Sequence, residues 1–204
     1  LVARDRKQLL DLRQELTPEN PNVVVVAGDV RDDETCGRAV ATALEAFGRI
    51  DILINNAGIA IHKLIVDLTA EDYDAVMDTN MRATFLFARA VIPLFARQQR
   101  GTLIIVGSGA AVRGIAGEST YCASKFAQRG FALALDHELR SQNIKVCMVH
   151  PGNVDTRFSA YRETPAPEGI LKPEDVAQAV LFVALQPEQS RVLELSLRPM
   201  EDSI

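Results

Sequence analysis

The strongest constraint on this chain is an alternation that runs its full length. Short apolar runs rich in β-branched residues, at 22–27, 51–55, 102–107, 144–149 and 192–197, are separated by longer segments with apolar residues at helical spacing, at about 32–47, 70–99, 119–141 and 173–185. All but the last run are nearly continuous, which suits strands covered on both faces. The helical segments between them supply that cover. The expected fold is therefore α/β: a doubly wound, open parallel sheet flanked by helices, with ligands outside the carboxyl ends of its strands.

Helix punctuation agrees with these boundaries. Asp32 precedes its helical segment, Pro173 sits in a first turn ahead of Glu174 and Asp175, and Gly48 and Gly101 follow helical stretches. At the front, Leu1, Val2 and Ala3 look like the end of a strand, and 4–16 reads as a helix. The 204 residues contain no GxGxxG. In a dinucleotide-binding sheet the first strand, its glycine-rich turn and the first helix cradle the pyrophosphate. That βα unit is expected to be absent from this chain, which otherwise reads as one domain over 1–204. The long irregular stretch 155–169, with Pro165, Pro167 and Gly169, is expected to form a mobile substrate lid.

Composition narrows the partners. Hydrophobic residues make up 48% of the chain, enough for a sizeable single core at this length. A net charge of -5 with no run of five basic residues argues against nucleic acid and anionic membrane, and for a small ligand. No apolar stretch is long enough to span a bilayer and no signal peptide opens the sequence, so a cytoplasmic protein is expected. Cys36, Cys122 and Cys147 are odd in number, widely spaced and without CxxC; they read as reduced, buried thiols. His62, His137 and His150 lack metal-ligand spacing, so structural roles and no metal are expected.

The chemistry-bearing residues fall at strand ends. Tyr121 and Lys125, four apart, share one face of a helix, so an ammonium can sit beside a phenol. Ser108 follows a strand and stands 13 residues before Tyr121. Asn55-Asn56-Ala57-Gly58 follows another strand, Asn80 lies near the end of a helical segment, and Pro151-Gly152-Asn153-Val154-Asp155-Thr156 follows a third strand. Singly these are weak signals. Together, in this order, they resemble the short-chain dehydrogenase/reductase family, in its compact single-domain branch with a Rossmann-type sheet.

The resemblance implies an NADP(H)-dependent oxidoreductase that interconverts a small carbonyl and an alcohol, with NAD(H) possible. Tyr121 would be the general acid and base, its phenol pKa lowered by Lys125 and by the nicotinamide cation. Ser108 would orient the substrate oxygen, Lys125 would also bind the nicotinamide ribose, and Asn80 would hold a relay water. Asp29 and Val30 resemble the adenine-recognition pair; Asn56, Ala57 and Gly58 border the cofactor ribose; Pro151, Gly152, Val154 and Thr156 resemble the segment around the carboxamide. Arg4, with no acid before it, favours the 2′-phosphate of NADP. The helix after Tyr121 is apolar on more than one stripe, implying subunit packing into a homodimer or homotetramer. The alternative is a non-catalytic or truncated binding protein on the same scaffold.

Overall fold

The structure is a computed structural model and describes residues 1–156, 158 and 169–200. Strand β1 (Val2–Ala3) pairs with β2 (Val26–Ala27), while β3 (Ile52–Asn55), β4 (Gly101–Val106), β5 (Ile144–Pro151) and β6 (Glu194–Leu197) pair in that order; every pair is parallel. Between and around them lie α1 (Arg6–Leu16), α2 (Asp33–Phe47), α3 (Ala70–Met77), α4 (Ala83–Gln98), α5 (Ser119–Leu139) and α6 (Pro173–Ala184).

The apolar runs owe their continuity to burial on both faces. Leu103 and Ile105 of β4, with Val146 and Met148 of β5, pack under Val91 and Phe95 of α4 and Leu135 and Leu139 of α5. The alternate residues Ile104, Cys147 and Val149 face Ala179 and Val183 of α6. Val2 and Leu53 share a smaller cluster with Cys36 of α2 and Leu86 and Phe87 of α4, so one helix layer spans both sheets. No strand joins β1 to β3 among the described residues, and Ile52 and Ile54, which project away from that layer, are 38% and 47% exposed.

Several boundaries differ from those read in the sequence. The run 22–27 is a strand only at Val26–Ala27, because its ladder partner β1 has just two residues. The first helix starts at Arg6 because Asp5 is its cap, accepting a 3.0 Å hydrogen bond from the Gln8 amide. Gly101 begins β4; α4 ends instead on Gln99, whose φ of 51° is left-handed. The segment 70–99 contains a π-helical turn, Asp78–Arg82, between α3 and α4. Of the expected lid over 155–169, residues 157 and 159–168 lie outside the described residues.

Candidate active site

The carboxyl ends of the strands collect the residues singled out above. Pro151 closes β5, and its hydrogen bonding to the β4 side ends with the Gly107 amide donating to the Val149 carbonyl at 2.8 Å, just before Ser108. Ser108 caps a short 3₁₀ turn, its Oγ accepting from the Ala110 amide at 3.1 Å. Tyr121 stands in the first turn of α5, 7% exposed, with the Ser108 side chain near enough to pull its phenol pKa down. One turn on, Lys125 is 3% exposed; its Nζ donates to the Val106 carbonyl at 3.1 Å and lies 5.7 Å from the centre of the Tyr121 ring.

Burial dominates the electrostatics of this pair. It pushes the Tyr121 phenol up to about 12, against the downward pull of the Ser108 side chain, with the nearby Glu118 charge adding to the rise. It also pulls Lys125 down to about 8. The phenol is therefore raised, not lowered as the neighbouring Lys125 led us to expect. The ammonium is committed to the strand end and faces the ring, while desolvation disfavours both charged forms.

Asn80 lies inside the π turn, fully buried, and not near a helix end. Its Oδ1 accepts from the Ile59 amide at 2.8 Å, and its Nδ2 donates to the Ile59 carbonyl and to Ser124 Oγ, each at 2.9 Å. Its own carbonyl accepts from Thr84 Oγ1 and Gln128 Nε2. Asn80 thus straps the loop after β3 to α5. A Cβ on Gly58 would come within 3.2 Å of Asn80 Oδ1 and 3.8 Å of Lys125 Nζ, so only glycine leaves this approach open.

The remaining predicted residues line the same edge. Arg4 follows β1 beside the end of β2, and its charge helps hold the Asp29 carboxyl below the usual range. The larger cause is Arg31, which grips Asp29 through Nε and Nη2 at 2.8–3.1 Å. Val30 packs inward, near Leu53, while Asn56 and Ala57 are exposed beyond β3. Gly152 donates to the Leu197 carbonyl at 2.8 Å, and Val154 makes a lone parallel bridge with Leu171; Thr156 is half-buried just beyond.

The family model described as short chain dehydrogenase matches residues 1–166. The chain belongs to the short-chain dehydrogenase/reductase family. It is 32% identical to sepiapterin reductase of Chlorobaculum tepidum over 204 residues, covering 100% of this chain and 84% of that protein. Serine dehydrogenase from Escherichia coli superposes with a TM-score of 0.87 at 29% identity, over 100% of this chain and 87% of that one. A metagenomic short-chain oxidoreductase in complex with NADP superposes with a TM-score of 0.84 at 27% identity, over 98% and 84%.

Further contributors to this dehydrogenase/reductase site come from residues 60–63, 115–118 and 158. The Phe158 ring lies 5.8 Å from that of Tyr121, which only the folded chain reveals. His62 Nδ1 sits 3.2 Å from Glu118 Oε1, and the Lys63 amide donates to the Gly117 carbonyl at 3.0 Å, tying the loop after β3 to the loop before α5. Ala60 and Ile115 from those loops pack on Ala110, Tyr121 and Cys122, which makes an apolar wall and leaves Cys122 a packing residue. Arg31, two residues after Asp29, also belongs to the site through its grip on that carboxylate. Among the described residues no group of His, Cys, Asp or Glu could hold a metal ion.

Proposed function

We propose that this member of the family is an NADP(H)-dependent oxidoreductase interconverting a small carbonyl and an alcohol, with Tyr121 as proton donor and acceptor. The observation that carries the reading is the buried Tyr121 phenol, beside Ser108 and one helical turn before a buried lysine, at the carboxyl edge of a parallel sheet.

The residues present fit the adenosine and nicotinamide ends of a dinucleotide, while the glycine-rich turn that cradles a pyrophosphate is not among them. Gly58 keeps main chain open beside Lys125, the ionised Asp29 offers acceptors to an adenine amino group, and Arg4 offers charge to a 2′-phosphate. Asn56, Ala57, Pro151, Gly152, Val154 and Thr156 would border the rest of it. A cofactor bound there supplies or accepts the hydride. The NADP bound by the metagenomic relative supports the preference for the phosphorylated form.

With a phenol pKa pushed up to about 12, Tyr121 is a neutral acid at physiological pH, suited to reduction. It gives its proton to the carbonyl oxygen while the Ser108 hydroxyl donates a hydrogen bond to the same atom. The phenolate left behind is favoured by the Lys125 ammonium. In oxidation the same groups run in reverse. Asn80 serves as a strap that holds Gly58 and Ile59 in place, because its side chain and its carbonyl are already engaged by protein groups.

A single domain over 1–204, a cytoplasmic location and a homodimer or homotetramer belong to the same reading. Three free, buried cysteines and the exposed apolar face of α4 and α5 support the last two. Thermal unfolding with NADPH or NADH, followed by a spectrophotometric panel of ketones, aldehydes, 3-oxoacyl thioesters and hydroxy acids, tests the reading. NADPH is expected to raise Tm more than NADH, with NADPH consumed on at least one carbonyl. Stronger stabilisation by NADH would reverse the cofactor assignment, and no turnover on any substrate would favour a binding protein.

A further inference from the structure

His150, set aside in the sequence as structural, is 1% exposed on β5 and lies directly under the Ser108 turn. A Cβ on Gly107 would meet its Nδ1 at 2.8 Å and its Cε1 at 3.2 Å, so the imidazole packs against the residue that precedes Ser108. On its other side Nε2 stands 3.2 Å from Glu194 Oε1. Glu194, on β6, is forked by Arg129 of α5 through Nε at 2.5 Å and Nη2 at 3.0 Å. A polar chain therefore runs from Arg129 of α5 through Glu194 of β6 to His150 of β5, whose ring packs against Gly107 just past the end of β4.

The chain has a direction. Arg129 keeps Glu194 ionised, since its hydrogen bonds hold that carboxyl below the usual range. An ionised Glu194 accepts the Nε2 proton and so selects the tautomer with a lone pair on Nδ1. Burial keeps the ring neutral despite Glu194 and the Ser108 main chain, both of which favour its charged form. Nδ1 is buried against Gly107 and the Ser108 main chain with no hydrogen bond of good geometry, a costly arrangement in an interior position. Gly107 is the only residue type that lets the ring come so near.

We propose that His150 is a positioning residue for Ser108: Arg129 and Glu194 orient its ring, and the ring sets the Gly107–Ser108 turn that carries the serine hydroxyl to the reacting oxygen. The inference rests on the oxidoreductase reading only for the consequence in turnover; the contact with the turn does not depend on it.

A double-mutant cycle separates positioning from general stability. His150→Leu is expected to lower kcat about tenfold with KM for NADPH unchanged, and His150→Gln, which keeps a donor toward Glu194, to recover most of the loss. In a Ser108→Ala background the same His150→Leu change is expected to cost less than about twofold, because the hydroxyl it positions is gone. Equal losses in both backgrounds would overturn the proposal. Amide exchange supplies a readout without turnover: the Ala110 and Ala111 amides, bonded to Ser108 Oγ and to its carbonyl, should exchange faster in His150→Leu while α2 is unchanged. Unchanged exchange at Ala110 and Ala111 would also overturn it. A wild-type protein inert toward every carbonyl would count against the oxidoreductase reading alone, and exchange would still decide the role of His150.

Discussion

Lys125 holds an ammonium where burial works against it. Its pKa falls from 10.5 to about 8, so between those values the unfolded chain binds a proton that the folded chain releases. Stability should therefore rise with pH from about 8 to 10.5, and below pH 8 the buried charge costs on the order of 3 kcal/mol. Lys125→Met should accordingly raise the urea midpoint at pH 7 while abolishing turnover; a variant both active and no more stable would contradict this account of the residue. In the wild-type enzyme the reduction rate should decline as pH rises through about 8, where the ammonium that favours the phenolate is lost. At this scale the sequence was informative because Tyr121, Lys125 and Ser108 sit at fixed spacings from strand ends. The direction of the phenol shift was not legible. Spacing shows that two groups are near, and only the folded chain shows that both are desolvated and that Lys125 points its charge at Val106.

Elements were legible wherever one face pattern met one partner. β4 and β5 read clearly because α4, α5 and α6 cover both their faces; β2 read too long because a strand exists only where a ladder partner does. The π turn at Asp78–Arg82 was hidden inside a helical pattern that continues on either side of it, and with it the reason Asn80 reaches the loop after β3. Gly101 shows the same limit. It was read as a helix stop, but its place in β4 lies against the fully buried ring of Phe95, which occupies the space a Cβ would need. Gly101→Ala should therefore cost about 1–3 kcal/mol by forcing α4 off the sheet, read as a lower urea midpoint with an unchanged slope. A neutral result would mean that α4 shifts freely, contrary to packing that leaves Phe95 no exposure.

Among the described residues, α4 and α5 present large apolar side chains to solvent. Phe85 of α4 and Phe126 and Leu133 of α5 are 38–45% exposed, with the Phe85 ring against Phe131 at 6.4 Å and under Arg89 at 5.4 Å. A face of this kind suits a second copy, so Phe126→Asp should shift the sedimentation coefficient from that of an oligomer to that of a monomer. A wild-type monomer would remove this expectation. The doubly wound sheet itself was plain in the alternation of runs, whereas the division of its strands into two paired sets depends on which strands find neighbours, a long-range property that no local pattern carries. The central claim, that Tyr121 moves the proton in a carbonyl reduction, is tested most directly by initial rates of NADPH consumption for the wild type and Tyr121→Phe. The fold loses one hydroxyl and the ring keeps its packing, so the variant should bind NADPH as before and lose about 10²–10⁴-fold in kcat. A variant that binds NADPH and turns over at near the wild-type rate would contradict it.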